Sequence, residues 1–166
     1  MQHAKHKGNH AHGSSAEGHY GRLLVMILLS FLAMYVLMYA MVNTLDNVFN
    51  NVNQVYMAGL MAAPMALIEL MLMSRMYPNK MLNSILAVVS IVLMILFWLG
   101  IRQQAAVSDQ QFLRSMIPHH AGAILMCRQN RLGDPELQQL CRDIVASQQS
   151  EIDLMKAKLQ RRTGGD

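Results

Sequence analysis

Near the C-terminus, six side chains follow the spacing of an α-helix. Five are of types that can bind metals, and the sixth is a glutamine. On each of two predicted helices they lie four or seven residues apart, which places each set on one helix face. The sets are Met116, His120 and Cys127 on the first helix, and Cys141, Gln148 and Met155 on the second. Thioether, thiol and imidazole groups suit Cu(I), and imidazole also binds Zn²⁺ and Cu(II). The pattern indicates a copper site, with packing of the methionines in a core as the alternative.

The residues around these positions predict a helical hairpin. Ser108 followed three residues later by Gln111 is a capping-box pattern, so a first helix begins there and extends to about residue 131. Pro118 lies within this helix and is expected to kink it, because proline lacks an N–H and its ring clashes with an earlier carbonyl. We expect Gly133 to end the helix and Asp134 to cap a second one that continues to about residue 160.

A hairpin that turns near Asp134 brings together residues whose numbers sum to about 268. This register places Cys127 opposite Cys141 and His120 opposite Gln148. In an oxidising compartment the two cysteines can form a disulfide. Buried free thiols and metal ligation are the other two possibilities, and the spacing leaves all three open.

Three apolar segments precede the hairpin, at residues 23–42, 55–76 and 82–101. The first and third carry no charge, and the second contains Pro64 and Glu69. A helix of about 20 residues covers about 30 Å, which is the thickness of the hydrocarbon core of a bilayer. We therefore expect three transmembrane helices and a lipid bilayer as the surroundings of this part of the chain.

The distribution of positive charge orients these spans. Five Lys or Arg residues lie before the first span or in the 75–81 loop, whereas the 43–54 loop has none and the 20 residues after the third span have two. Because cytoplasmic loops carry the excess of Lys and Arg, the N-terminus is predicted to be cytoplasmic. The 43–54 loop and residues 102–166 then face the periplasm.

These elements predict an all-α chain in three parts. Residues 1–22 hold five of the seven histidines in a polar, glycine-containing segment, which we expect to be disordered and able at most to bind metal loosely. Residues 23–101 form the membrane domain, and residues 102–166 form the soluble hairpin. Because a hairpin of about 60 residues is too small to bury a full core, we expect it to form a homo-oligomer as a four-helix bundle.

The composition excludes several functional classes. Charged residues make up 14% of the chain, against about 25% in an average soluble domain, so a soluble cytosolic protein is not expected. The basic residues are scattered and aromatic residues are few, so we expect no nucleic-acid partner. The C-terminal part lacks the several Glu and Glu-x-x-His pairs of a di-iron site, and no Ser/His/Asp set is present, so we do not expect an enzyme.

Methionines also form stripes on two of the predicted spans. They are Met34, Met38 and Met41 on the first span, and Met57, Met61 and Met65 on the second. A path for copper is one interpretation, and packing in lipid is the simpler one. Glu69 in the second span is either functional or extends to the interface near Arg75.

Two stretches of the hairpin resemble a bacterial family of ferritin-like helical domains, domain of unknown function 305. They are FLRSMIPHHAGAILMCR and, downstream, IVASQQSEIDLM. The signature of this family has an acidic residue and Phe, then Met-Ile-Pro-His-His and Ala-Ile-x-Met, followed by Ile-x-x-x-Gln-x-x-Glu-Ile-x-x-Met. The likeness covers about residues 108–160, and the preceding spans are similar to the membrane-anchored branch of the family.

The resemblance implies copper or silver handling in the bacterial envelope, with His and Met as ligands. Carried over by position, the implied ligands are Met116, His119, His120, Met126 and Met155. The same signature implies that Gln148 and Glu151 orient an imidazole. Cys127 and Cys141 are not part of the signature.

We therefore expect a non-enzymatic, multi-pass protein of the bacterial inner (plasma) membrane that captures or buffers copper, with Cu(I) favoured. The alternative is a structural or interaction module. Such a module docks on an efflux or respiratory partner and binds no stoichiometric metal.

Overall fold

Five α-helices follow one another in the computed structural model, which describes residues 11–163 and the side chains of residues 18–161. The helices are α1 (Ala11–Leu37), α2 (Val52–Leu72), α3 (Lys80–Gln103), α4 (Asp109–Gln129) and α5 (Pro135–Thr163). Two short 3₁₀ turns, Met38–Met41 and Leu45–Asn47, lie between α1 and α2. No strand occurs within the described residues, so the predicted all-α class is confirmed.

Three of these helical segments are long and apolar enough to cross a membrane. They are Gly18–Met41, Val52–Leu72 and Lys80–Gln103. Their bounds agree with the three predicted spans to within a few residues. The second ends at Leu72 rather than near residue 76, in keeping with Pro78 a few residues later, where a helix cannot continue.

The first helix begins earlier than the sequence indicated. Residues 11–22 are helical, so the expectation of a disordered segment over residues 1–22 is wrong for this part. Extending an existing helix adds one hydrogen bond for each residue fixed, which lets the helix of the apolar span continue outward. Loose metal capture by His3, His6 and His10 concerns residues outside the described part of the chain.

The chain divides into two units. The first comprises the chain up to Met34 together with Ala58–Trp98, and the second comprises Tyr35–Met57 together with the chain from Leu99 onward. In the first unit α2 buries a face of small residues, which lets a neighbouring helix approach closely. A Cβ at Gly59 would lie 2.5 Å from the ring of Phe97, so this contact requires glycine.

Glu69 has a structural partner in the first unit. The hydroxyl of the buried Tyr77 donates to Glu69 Oε1 at 3.3 Å. Asn83 donates to the Tyr77 carbonyl at 2.9 Å and accepts from the Tyr20 hydroxyl at 2.7 Å. Burial raises the pKa of Tyr77, and the neighbouring charge of Glu69 raises it further. This network favours the structural interpretation of Glu69, with Tyr77 rather than Arg75 as its neighbour.

In the second unit α4 and α5 form an antiparallel hairpin around an apolar core. Its buried members are Ile117, Ala121 and Ile124 from α4, and Ile152, Met155 and Leu159 from α5. Full burial of one Ile side chain stabilises a fold by about 1.5–3 kcal/mol. Val42 and Phe49, which precede α2, pack against the same core.

The ends of the two hairpin helices agree only in part with the predicted capping residues. Ser108 Oγ accepts from the Gln111 N–H, but the Gln111 side chain accepts from the Val52 N–H at 3.1 Å instead of closing the box. Asp134 Oδ1 accepts from the Glu136 N–H at 2.7 Å and caps α5 as predicted. Gly133 does not end α4, because the helix stops at Gln129 and the residue after it adopts an extended conformation.

Candidate metal centre

The two adjacent histidines of α4 have different surroundings. Successive residues of a helix point about 100° apart, so one ring can be buried while the next is exposed. His120 is 7% exposed, whereas His119 lies on the open side of the helix. The ring centroids are 6.3 Å apart. The two imidazoles therefore have separate roles.

His120 is held by hydrogen bonds from both ring nitrogens. Its Nδ1 lies 2.9 Å from the Met116 carbonyl oxygen, and because a carbonyl only accepts, Nδ1 carries a proton. Its Nε2 lies 2.6 Å from Glu151 Oε2. This short hydrogen bond joins the imidazole of α4 to a carboxyl group of α5. Nε2 is the nitrogen that a metal would take, and Glu151 occupies it in this arrangement.

The partner of His120 is Glu151 rather than Gln148, which the register had placed opposite it. Side chains of a helix lean toward its N-terminus. In an antiparallel hairpin His120 therefore leans away from the turn, and Glu151 leans toward it. The His120 ring therefore meets Glu151, which is three residues farther from the turn than Gln148.

A cavity of about 540 Å³ lies on the other side of α4, within the second unit. Small-molecule sites have about this size. Its walls come from the Met38–Met41 turn, the first residues of α2 and the exposed side of α4. The soft or imidazole donors in the lining are Met38, Met41, Met57, Met116, His119 and Met126.

Gly122 allows the turn to lie close to α4. A Cβ at this position would be 3.5 Å from the carbonyl oxygen of Met41 and 3.9 Å from its Cβ. These are ordinary contact distances, so a methyl group fits and a longer side chain does not. The small residue therefore sets how near Met41 comes to the α4 donors.

The structure separates the five implied ligands into two groups. Met116, His119 and Met126 line the cavity. His120 bonds to Glu151, and Met155 is only 8% exposed in the hairpin core. Gln148 is half-buried on α5. The structure thus brings three of the implied ligands to one cavity and places the other two in the hairpin interior.

The donor chemistry of the cavity suits a soft ion. Across the described residues no three His, Cys, Asp or Glu side chains are grouped closely enough to hold a metal. The cavity instead offers neutral thioethers and one imidazole, and thioethers select Cu(I) over hard or divalent ions. The residues present therefore fit Cu(I) or Ag(I) better than Zn²⁺, iron or Ca²⁺.

Cys127 and Cys141 are joined by a disulfide near the turn of the hairpin. Their Cα atoms lie 5.2 Å apart, within the usual range for such bonds. Of the three possibilities left open by the spacing, the structure has this one. Neither thiol is free to bind a metal in this state.

A sequence model of one family, Domain of unknown function (DUF305), matches residues 46–159. The chain belongs to this family. The resemblance noted on residues 108–160 is thereby confirmed, and the DUF305 region also includes α2 and α3. His119, Met116, Met126 and Met57 fall inside the matched region, and Met38 and Met41 precede it.

A curated relative is similar over most of its length. It is an uncharacterized protein of Acanthamoeba polyphaga mimivirus, 39% identical over 113 residues, which are 66% of this chain and 72% of the relative. No solved structure matches the chain.

In the sequence, Met38 and Met41 belong to a methionine stripe on the first span, and Met57 belongs to one on the second. Packing in lipid was the simpler interpretation of both stripes. Their common cavity with α4 was not predicted. The only available signal was their position at the ends of the spans, next to the 43–54 loop that lies on the same predicted side as the hairpin. The methionines come close to α4 because the Met38–Met41 turn packs against Gly122.

Proposed function

We propose that this protein is a non-enzymatic, membrane-anchored protein that captures or buffers Cu(I), or the similar soft ion Ag(I). The single observation that carries the proposal is the common cavity of Met116, His119 and Met126. These are three of the positions that the family signature implies as ligands. They also have the donor chemistry that Cu(I) prefers.

The exposure of His119 and Met126 supports binding rather than packing, whereas Met116 also packs against the hairpin core. Met126 is 56% exposed and His119 lies on the open side of the helix, whereas Met155 in the core is 8% exposed. An accessible thioether can exchange a metal with solution or with a partner. A buried one contributes only to packing.

We further propose that the protein lies in the inner (plasma) membrane of a bacterium, with the N-terminus in the cytoplasm and the hairpin in the periplasm. The excess of Lys and Arg near the N-terminus and in the 75–81 loop supports this orientation. The Cys127–Cys141 disulfide supports it independently, because such bonds persist in oxidising compartments.

A second copy of the chain is the proposed partner of the hairpin. Two packed helices leave apolar side chains in solvent, including Phe112, Leu137, Leu140 and Leu154, each about half exposed. Dimerisation of two hairpins would cover such residues in a ferritin-like four-helix bundle.

The alternative remains an interaction module that docks on an efflux or respiratory partner. The positions of His120 and Met155 favour it, because both side chains serve the packing of the hairpin. This alternative predicts that no stoichiometric metal is bound at the cavity.

The test is a Cu(I) titration of the full chain in detergent micelles, under reducing conditions mild enough to keep the disulfide, against a coloured Cu(I) chelator. The N-terminal histidines are replaced by alanine in every sample, so that they do not contribute. The test variant is His119→Ala/Met126→Leu. The matched control is Met81→Leu, an exposed methionine of α3 that does not line the cavity.

We expect tight binding by the parent chain and the control. The test variant should bind about 10–100-fold more weakly, since a lost ligand costs at least as much as a lost orienting partner. Circular dichroism and thermal melting should match in all three. Equal affinity in all three, or no stoichiometric Cu(I) in the parent chain, would support the interaction module instead.

A further inference from the structure

We propose that the Cu(I) site is shared between the hairpin and the adjoining ends of the first two spans, with the thioethers of Met38, Met41 and Met57 as additional ligands. This inference rests on the function proposed above and extends it to residues outside the hairpin. Two of the three, Met38 and Met41, precede the region that matches the family model.

The local backbone places Met38 and Met41 on the same side of their turn. They are the first and last residues of a 3₁₀ turn. In a 3₁₀ helix the side chains three residues apart eclipse each other. Both thioethers therefore point in one direction, and both line the cavity with His119.

Hydrogen bonds hold the backbone of the turn. The Val42 N–H donates to the Tyr39 carbonyl at 3.0 Å, and the Tyr39 hydroxyl donates to the Phe49 carbonyl at 2.8 Å. Gly122 admits the turn close to α4. The donors of the turn are thus attached to a fixed backbone.

The start of α2, which carries Met57, is attached to α4 in the same way. The Val52 N–H donates to Gln111 Oε1 at 3.1 Å, and Asn53 Nδ2 donates to Ser115 Oγ at 3.4 Å. These contacts keep Met57 beside the α4 donors. Hence three separate stretches of chain present thioethers to one space.

Met41 and Met57 are more exposed than a methionine that packs in the core. Met41 is 54% exposed and Met57 is 40% exposed, in contrast to the sealed Met155. Three polar side chains line the same cavity, those of Asn51, Asn53 and Gln54. Partly exposed methionines that line an open cavity are available as ligands.

The flexibility of methionine allows these donors to close on an ion. The cavity is far larger than one metal ion, so the thioethers must move inward when an ion binds. Met has three rotatable side-chain bonds and a polarizable sulfur, and such movement costs it little. Because the thioethers are neutral and no carboxylate lines the cavity, the donor set favours a soft monovalent cation.

The test compares two pairs of Met→Leu substitutions in the full chain with the N-terminal histidines replaced. The test pair is Met41→Leu/Met57→Leu, which removes two sulfurs and keeps the side-chain volume. The control pair is Met61→Leu/Met65→Leu, which changes the next turns of α2 and no lining residue. Cu(I) affinity and the number of sulfur neighbours from X-ray absorption are measured for each.

We expect the test pair to bind Cu(I) about 10–100-fold more weakly, with fewer sulfur neighbours, and the control pair to match the parent. If the test pair melts at a lower temperature without metal, the two single variants are measured instead. An unchanged affinity and sulfur count in the test pair, together with weak binding by His119→Ala/Met126→Leu, would overturn the shared site and leave the proposed function intact.

Two further outcomes are distinguishable. If the test pair weakens binding but His119→Ala/Met126→Leu does not, the ion is held by the 38–57 segment alone and the shared site is wrong. If no variant changes the affinity, or the parent chain binds no stoichiometric Cu(I), both the shared site and the proposed function fail.

Discussion

The two sides of α4 use the same kinds of residue for opposite purposes. On the side that faces α5, His120 is buried, bonds to Glu151 and shares a helix face with the buried Ile117 and Ile124. On the cavity side, His119 and Met126 remain open. Of the two adjacent histidines, only His119 therefore has an accessible ring, and on the cavity side Met126 has an accessible thioether.

The largest expected effect contrasts the core with the cavity wall. Ile124→Ala removes a side chain with no exposed surface, and we expect the free energy of unfolding to fall by about 2–5 kcal/mol. Met126→Ala on the open side should change it by about 0.5 kcal/mol or less. Chemical denaturation of the full chain in detergent measures both. Similar losses would mean that both sides of α4 are packed.

The disulfide is expected to stabilise the hairpin nearly as much. Cys127→Ala/Cys141→Ala removes a link between residues 14 apart in sequence. In the loop-entropy model this lowers the free energy of unfolding by about 3 kcal/mol. Because the cavity contains neither cysteine, Cu(I) affinity should be unchanged. Loss of Cu(I) binding in a variant that remains folded would contradict this separation.

The adjacent histidines provide the sharpest form of the comparison. His120→Ala removes a buried, doubly hydrogen-bonded ring, so the free energy of unfolding should fall by about 1–3 kcal/mol. His119→Ala should leave it within about 0.5 kcal/mol and reduce Cu(I) affinity instead. Thermal melting and the chelator titration report the two effects. If both variants lower the melting temperature, or both weaken Cu(I) binding, the two histidines do not have the separate roles assigned to them.

Glu151→Ala should cost less than His120→Ala, although it breaks the same contact. The Glu151 side chain is 53% exposed, so water replaces much of what the carboxylate loses. Exposed ion pairs contribute about 0–1 kcal/mol. A loss of several kcal/mol in denaturation would show that Glu151 is sealed in the protein, for example by a second copy of the hairpin.

The smallest expected effect concerns the distance between the turn and α4. Gly122→Ala should stabilise the protein by about 0.5–1 kcal/mol, because alanine favours the helix and its methyl group fits beside Met41. Gly122→Leu should displace the turn and weaken Cu(I) binding. If the Leu variant binds as tightly as the Ala variant, the close approach of Met41 is not needed.

Local features of the sequence predicted most of the secondary structure. The three apolar runs, the Ser108 cap and the Asp134–Pro135 start of α5 all depend on residues within about one helical turn of each other. The register of a hairpin that turns near Asp134 also placed Cys127 opposite Cys141. The end of α4 was less predictable, since Gly133 allows a stop but does not determine where the last hydrogen bond forms.

The candidate site was predicted only in part. Met116, His119 and Met126 were implied by the family signature, and they share a cavity. The same signature implied His120 and Met155, which the structure places in the interior of the hairpin. A sequence motif does not state which way a side chain faces once a second helix covers one side of the first.

The sequence by itself determined the helices, their order, the apolar spans and the family, because these depend on composition, short-range hydrogen bonds and local motifs. The family signature implied that Glu151 orients an imidazole, but only the tertiary structure decided that this imidazole is that of His120 and that Met41 reaches the cavity beside Gly122. Both contacts join residues far apart in the chain. They arise from the direction in which side chains lean and from how closely backbones can pack, and neither is encoded in a local pattern.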